Sequence, residues 1–417
     1  MGNLLGAPVT DKETHTGTTS DSVPYGVSSM QGWRVHMEDA HITETRLYAS
    51  DGTTKIELAG HAMFAVFDGH GGTYSAMYSG RNMCRVLSCQ PKFVEYANFT
   101  KNRPSKEKDM TAAERAAYVR QGLDLLEGAL KDAFVEIDKE IAYALKGAKV
   151  ADADASYHDD EPGNSGGDSK AKNDGMEGVS QTDSQASPTD SALQLLEEEG
   201  DSGTTACVVL LTPEWVVCAN AGDSRAVISR LGNKAVPLSY DHKPDDVEEE
   251  RRIRAAGGYV AGGRVEGDLA VSRGLGDFRF KNLDVVMTGS SGMAENIGTD
   301  ESGNRPAFTP GDQKVSPIPD VIVQNRNPSQ DEFIIVACDG IWDVQTNYEA
   351  VKMIAELFDE GEADLGLLSE EVCVITHGRR MRSLALRVHI IANRLPRYSL
   401  RVRRYWTFAW AWVAKTT

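Results

Sequence analysis

Two apolar runs of this chain end in the same dipeptide, Asp-Gly. Residues 62–67 lead into Asp68, and residues 333–338 lead into Asp339. Runs of this length and composition are typical of buried β-strands, and a carboxylate at the exit of such a strand is costly unless a cation compensates it. A further acidic pair is Glu38-Asp39. Carboxylates that a folded sheet gathers at strand ends form a site for hard divalent cations, and this is the chemistry that the sequence predicts.

Each of these residues also has a simpler explanation. Asp68 and Asp339 could cap turns after their strands, as Asp-Gly often does. Glu38 could be solvated, Arg34 could be an ordinary surface charge, and His70 could help to start the following helix. Two other acidic residues suit loop ordering at least as well as metal binding, and they are left out of the predicted site: Asp223 and Asp277.

Hydrophobic periodicity predicts the elements that position these side chains. Strands at about 202–211, 214–220 and 226–229 are joined by short turns, and such close spacing indicates antiparallel pairing. Apolar residues at steps of three and four predict a long helix near 111–147. The other predicted elements are two short strands between 22 and 50 and helices at about 73–87, 246–256 and 346–357.

Three segments differ in composition from the rest. Residues 1–21 are polar and are predicted to be a flexible terminus. Residues 148–200 are rich in Ser, Gly, Asp and Glu and poor in large apolar side chains, so they are predicted to be a disordered acidic insertion. Residues 286–312 are predicted to be a second, polar and glycine-rich insertion.

Composition limits the class of protein. The net charge of −18 over 417 residues argues against a general nucleic-acid binder, which needs a basic face. The six cysteines are scattered and are interpreted as reduced thiols, without zinc-type spacing. No secretory signal or membrane-spanning stretch is recognised, so a cytoplasmic or nuclear location is expected. Gly2 has the position required for N-myristoylation, but Gly6 replaces the usual Ser or Thr, so membrane attachment is expected only if Gly2 is acylated.

The order of motifs along the chain resembles the metal-dependent serine/threonine protein phosphatases of the 2C type. The resemblance extends from about residue 23 to about 371, and it predicts a catalytic domain at 22–373. Any single motif could arise by chance, whereas the ordered set is specific. The matching segments are 33–41, 67–72, 202–206, 220–225, 241–244, 255–258, 269–277 and 338–343.

The resemblance implies an α+β fold in which two stacked antiparallel β-sheets are flanked by helices, a four-layer α-β-β-α sandwich. It also implies two Mg²⁺ or Mn²⁺ ions, with a third in some members. By position, Asp68 would bridge both metals, and Arg34 would clamp the substrate phosphate. His70 would protonate the leaving alkoxide. The implied metal ligands are Glu38, Asp68, the Gly69 carbonyl and Asp339, with Asp201, Asp339 and Asp343 in the places that match the third ion.

Metal-dependent hydrolysis of phosphate esters can also be argued from chemistry alone, independently of the family resemblance. Phosphate-ester hydrolysis at neutral pH needs a nucleophile and cations that absorb charge on the transferred group. A two-metal site supplies both, and no phosphoenzyme is then required. No cysteine lies in a convincing nucleophile setting, which needs an electropositive and accessible pocket.

The resemblance breaks near the carboxyl end. Family members have a Gly-x-Asp-Asn motif about forty residues after the second Asp-Gly, and its Asp is a metal ligand. Here the residues after Glu371 contain no Asp or Glu, and the last sheet strand is doubtful. The basic and aromatic tail 374–417 instead contains nine arginines, three tryptophans and one phenylalanine: Arg379, Arg380, Arg382, Arg387, Arg394, Arg397, Arg401, Arg403, Arg404, Trp406, Trp410, Trp412 and Phe408.

Three explanations of this tail stay open. It could come from a shifted reading frame or a splicing error. It could be a real extension that binds anionic lipid or the acidic insertion, because arginine with aromatic residues suits an anionic surface. It could also mark a divergent member that has lost one metal ligand.

Two functions are therefore expected for the sequence. The first is a phosphoserine and phosphothreonine phosphatase, a hydrolase acting in dephosphorylation and signalling on phosphorylated proteins, as a monomer. Its turnover should be slow, because the last metal-ligand motif is missing. The alternative is a catalytically impaired phosphoprotein-binding module in which Arg34 still binds phosphate.

Overall fold

Two antiparallel β-sheets form the centre of the structure. The computed structural model describes residues 4–101, 110–145, 201–293, 307–379 and 386–392. In spatial order, the six-stranded sheet consists of β1 (Leu4–Thr18), β2 (Pro24–Arg34), β20 (Leu386–Ala392), β19 (Asp331–Ala337), β11 (Arg225–Arg230) and β12 (Lys234–Pro237). The five-stranded sheet consists of β18 (Asp320–Asn325), β10 (Trp215–Ala221), β9 (Ala206–Leu211), β6 (Ala62–Phe67) and β3 (Ala40–Glu44).

Smaller sheets and eight helices complete the described residues. A three-stranded sheet has the order β15 (Leu275–Gly276), β8 (Gly203–Thr204), β7 (Gly69–His70). The strand pairs are β4 (Leu47–Ser50) with β5 (Lys55–Leu58), β13 (Val260–Ala261) with β14 (Arg264–Val265), and β16 (Ser291–Met293) with β17 (Ala307–Phe308). The helices are α1 (Tyr74–Ser88), α2 (Pro91–Lys101), α3 (Ala112–Leu145), α4 (Val247–Ala255), α5 (Leu283–Thr288), α6 (Asp339–Trp342), α7 (Asn347–Asp359) and α8 (Leu365–Arg379).

Three apolar cores separate four layers. One core joins the five-stranded sheet to α1, α2 and α3, and includes Phe67 and Phe134. A second lies between the two sheets and includes Phe64 and Val336. The third joins the six-stranded sheet to α7 and α8, and includes Ile390. The predicted α+β fold with an α-β-β-α order of layers is confirmed.

Most predicted elements are present close to their predicted bounds. The strand before Asp68 is β6, whose six residues are all buried. The long helix with an apolar face is α3, of 34 residues. Helix α7 begins with the predicted capping box, in which Thr346 and Glu349 bond each other's backbone N–H. In the described residues none of the six cysteines forms a disulfide. No described helix is long and apolar enough to cross a membrane.

The predicted flexible terminus, residues 1–21, is wrong for most of its length. Residues 4–18 form strand β1, which pairs antiparallel with β2, and Thr14 Oγ1 lies 3.1 Å from Ser28 Oγ. β1 is an edge strand of its sheet. An edge strand is stabilised by backbone hydrogen bonds and needs little apolar burial, so its polar composition concealed it.

The doubt about the last sheet strand is also corrected. Residues 386–392, from the segment predicted to be a tail, form β20 between β2 and β19. Within this strand Val388 and Ile390 belong to the core beneath α7 and α8. Within the insertion predicted at 286–312, the described residues include the end of α5 and strands β16 and β17. The acidic insertion 148–200, Gly2 and the tail beyond Ala392 lie outside the described residues.

Candidate active site

Two buried strands deliver Asp68 and Asp339 to one edge of the sandwich. Asp68 follows β6, and its carbonyl accepts hydrogen bonds from Thr204 Oγ1 at 3.1 Å and from the Thr205 N–H at 3.0 Å. Asp339 follows Cys338 at the end of β19 and opens the short helix α6. The two residues line the same cleft, although they are 271 positions apart in the sequence. The predicted convergence of strand ends is therefore present.

These carboxyl groups strongly repel one another when ionised. Burial raises the pKa of Asp68, and the charges of Asp339, Asp39 and Asp223 raise it further. Burial likewise raises the pKa of Asp339, with added repulsion from Asp223 and Asp343. Because a concentration of negative charge in a shielded cleft is unfavourable by itself, the site is electrostatically suited to a multivalent cation.

Glu38 and Gly69 belong to the same cleft. The cleft is lined by Arg34, His36, Glu38, Asp39, Asp68, Gly69 and Asp339. The Gly72 N–H donates to Glu38 Oε1 at 2.9 Å, which fixes that carboxylate over the turn after β7. The Glu38 carbonyl lies where a Cβ on residue 69 would be placed, so only glycine allows the two segments to approach this closely.

A small sheet joins the motifs around His70. β8 pairs with β7 on one side and with β15 on the other, so the turn after β15 lies beside His70. His70 Nε2 is 2.9 Å from Asp277 Oδ1. Burial alone would lower the pKa of His70, but the charge and hydrogen bond of Asp277 outweigh it and raise the pKa. The imidazole is thus favoured in its protonated form.

Arg34 supplies a positive charge at the mouth of the cleft. It is the last residue of β2 and is half-buried. Burial raises the pKa of Asp39 and of Asp68, and the charge of Arg34 offsets part of this rise. Among the described residues no carboxylate lies within 4.0 Å of its guanidinium. The planar donor fork is therefore available to an anionic ligand, and phosphate fits it well.

The donor set fits Mg²⁺ or Mn²⁺, which prefer carboxylate and carbonyl oxygens. In the part of the chain that the structure describes, no three His, Cys, Asp or Glu side chains are already arranged around one metal position. Glu38 accepts a hydrogen bond from the Gly72 N–H. The Oδ2 atom of Asp39 is buried and has no hydrogen-bond partner among the described residues. One unsatisfied carboxylate oxygen beside acids that repel one another when ionised fits a cleft that binds cations.

A comparison with protein families decides the class of this chain. The model described as "Protein phosphatase 2C" matches residues 23–168 and 146–374. A probable protein phosphatase 2C of Caenorhabditis elegans is 35% identical over 360 residues, which cover 86% of this chain and 70% of that protein. The chain belongs to the protein phosphatase 2C family. Its class is that of the protein serine/threonine phosphatases, hydrolases of phosphoric monoesters that are generally metal-dependent.

Other members of the protein phosphatase 2C family are longer than this chain. Protein phosphatase 2C homolog 2 of Hypocrea jecorina is 33% identical over 85% of this chain, which spans 57% of that protein. A crystal structure of a phosphatase from Toxoplasma gondii aligns with a TM-score of 0.56 and 17% identity, covering 93% of this chain and 98% of the other. At that identity the similarity shows the fold alone.

Of the residues predicted to bind a third ion of the 2C-type site, Asp343 lies close to Asp339, whereas Asp201 does not lie in the cleft. Asp343 follows Asp339 by one helical turn, and its charge raises the pKa of Asp339, so it borders the cleft. Asp201 has a side chain that is 66% exposed, and its carboxylate lies 3.7 Å from the Arg279 guanidinium. The structure therefore pairs Asp201 with an arginine.

Several residues of this 2C-type cleft were missed or left out. Asp39 lines it directly. Asp223, interpreted as a loop-ordering residue, bonds Lys243 Nζ at 2.5 Å and acts on both Asp68 and Asp339. Asp277 bonds His70 rather than only ordering its loop. The position of Asp39 at the cleft could have been predicted, because Asp39 is adjacent to Glu38. The contacts of Asp223 and Asp277 could not, because they depend on how loops that are distant in sequence meet in the fold.

Proposed function

We propose that this chain hydrolyses phosphoserine and phosphothreonine in proteins by a metal-dependent mechanism. One observation carries the proposal: the mutually repelling carboxyl groups of Asp68 and Asp339 share a cleft with Glu38 and Arg34. A cluster of acids beside an arginine that has no carboxylate within 4.0 Å in the described part of the chain can bind divalent cations and a phosphate at adjacent positions. Membership of the protein phosphatase 2C family supports the same reaction.

Each group in the cleft has a distinct part in this proposal. Two divalent cations held by Glu38, Asp68, the Gly69 carbonyl and Asp339 would supply an acidified water and positive charge opposite the phosphoryl oxygens. Arg34 would donate paired hydrogen bonds to the phosphate and orient it.

His70 would act on the leaving group. Its Nε2–H donates to Asp277, which leaves the Nδ1–H of the imidazolium free to protonate the departing serine or threonine oxygen. Asp277 is 2% exposed, so its charge stabilises the imidazolium with little screening by solvent.

The rate of this reaction should be low compared with that of family members that keep the Gly-x-Asp-Asn motif. No Asp or Glu follows Glu371, so one carboxylate of the implied set is missing. A two-metal site with one ligand fewer binds one ion more weakly and acidifies the water less.

A second candidate function is phosphoprotein binding without turnover. The missing carboxylate favours it, because Arg34 could bind a phosphate even where a second metal ion is not retained. This candidate requires no general acid at His70.

Calorimetric titration of the intact chain with Mn²⁺ distinguishes the two candidates. The phosphatase proposal predicts two divalent sites, of which at least one is lost in D68N, with unchanged thermal unfolding in the absence of metal. One site or none in the unsubstituted chain favours the binding module. E57Q serves as a control, because it removes an exposed carboxylate of β5 outside the cleft and should leave the titration unchanged.

A further inference from the structure

Arg387 is a buried cation contributed by the carboxyl-terminal strand. It lies in β20, at the centre of the six-stranded sheet, and it is 5% exposed. Val388 and Ile390 face the helices, whereas Ile391 faces the second sheet. Since side chains alternate along a strand, Arg387 points with Ile391 into the space between the two sheets.

The contacts of Arg387 place it next to the candidate active site. Its backbone N–H donates to Cys338 Sγ at 3.2 Å, and its carbonyl accepts from the Cys338 N–H at 3.3 Å. Cys338 is the residue immediately before Asp339. The guanidinium contacts Nδ1 of His41 in β3, three positions after Glu38. Strand β20 thus places one positive charge close to two chain segments, one that contains Glu38 and one that contains Asp339.

This guanidinium is poorly compensated by direct partners. Its Nε is buried without a hydrogen-bond partner, and no carboxylate of the described ranges lies within 4.0 Å of it. A buried cation is unfavourable unless negative charge is close. Asp39 of the cleft is a buried acid on which this charge acts. It is 4% exposed, and its Oδ2 also has no hydrogen-bond partner among the described residues.

The charge of Arg387 acts at the wall of the cleft. Arg387 and Arg34 are the two cations whose charges act on Asp39, and Asp39 lines the cleft together with Asp68 and Asp339. A single positive charge from β20 therefore acts on an acid that lies beside the carboxyl groups that would hold divalent cations.

We propose that Arg387 is a resident cation of the carboxylate cluster and that it lowers the affinity of this cluster for divalent metal ions. The inference rests on the metal site of the proposed function. The guanidinium partly neutralises the acids and repels a second cation in a region of low dielectric, where charges interact strongly. The chain would thus need a higher concentration of free metal than its carboxylates alone would require.

The test compares Mn²⁺ affinity by calorimetry in the intact chain and in two neutral variants, R387Q and R387M. Loss of the charge should tighten binding about tenfold or more, which corresponds to about 1.4 kcal/mol. R387K retains the charge and should bind Mn²⁺ as the unsubstituted chain does. R120Q removes an arginine of equal charge from the exposed face of α3, where its side chain is 69% exposed, and should change nothing.

The outcomes separate this inference from the proposed function. Equal or weaker binding by R387Q and R387M overturns the inference, and so does tighter binding by R387K, because size rather than charge would then be responsible. In each of these cases D68N still reports on the metal site. If no chain shows binding that D68N abolishes, the metal site and the inference both fail. Thermal unfolding without metal shows that each variant is folded, and the two neutral variants differ in polarity so that one remains if the other is unstable.

Discussion

At the residue scale, the site depends on buried acidic side chains that repel one another when they are ionised. Asp68 and Asp339 could be predicted from the sequence because each follows a buried strand, and strand exits of stacked sheets can meet at one edge. Asp223 and Arg387 could not, because their proximity arises from contacts between loops and strands far apart in the chain. The local pattern of residue types along the sequence does not predict contacts between segments that are far apart in the chain.

His70 gives a prediction for the chemical step. The H70Q variant should lower kcat on a phosphoserine peptide by about 10²–10⁴-fold, the usual contribution of a general acid, with little change in Mn²⁺ binding measured by calorimetry. H36Q is the matched control, since His36 lines the same cleft but is exposed. An equal loss in both variants would contradict a specific role for His70.

At the element scale, the spacing of apolar residues predicted the elements that are buried, and it missed an element that is held mainly by backbone hydrogen bonds. β6 and α3 were found because their apolar residues recur at the spacing of a buried strand and of a helix. β1 was missed as a polar edge strand. β20 was doubted because the Gly-x-Asp-Asn motif that should precede the last strand is missing and because the composition becomes basic near residue 374.

β20 gives a stability prediction. Ile390 is fully buried beneath α7 and α8, so I390A should lower the free energy of unfolding by about 2–5 kcal/mol in urea titrations. L367A is the control, because Leu367 lies on α8 and is 50% exposed, and surface substitutions cost about 0.5 kcal/mol or less. Equal small effects would contradict the placement of residues 386–392 in the core of the sheet.

Helix α4 gives a prediction of pH dependence. Burial would raise the pKa of Glu249, but hydrogen bonds and charges from Arg273 and Arg252 outweigh it and lower the pKa from 4.5 to about 2. Because the folded pKa is the lower one, this contribution to stability is present above about pH 4.5 and is lost as the pH falls toward 2.

The size of this effect is on the order of 3 kcal/mol, from about 1.4 kcal/mol for each unit of pKa. In E249Q the fall in unfolding free energy between pH 4.5 and 2, followed by urea titration at each pH, should be smaller by this amount. E250Q is the matched control, since its carboxylate bonds the exposed Arg254 and should leave the pH profile unchanged. A profile of E249Q identical to that of the unsubstituted chain would show that Glu249 carries no such linkage.

At the scale of the whole molecule, the layers could be predicted, but the order of strands could not. Closely spaced strands at 206–230 indicated an antiparallel meander, and β9 and β10 do pair as neighbours. β11 instead crosses to the other sheet and pairs with β19. Because β6 and β19 belong to different sheets and the residues after them line one cleft, the candidate site depends on the complete sandwich rather than on any single motif.

If the proposed function is correct, this edge of the sandwich cleaves phosphate esters only with divalent cations bound. The most direct measurement is release of inorganic phosphate from a phosphoserine peptide by the intact chain, with Mn²⁺, with a chelator, and in the D68N variant. We predict slow release with Mn²⁺ that is abolished by the chelator and by D68N. No release with Mn²⁺, or equal release by D68N, would contradict the account.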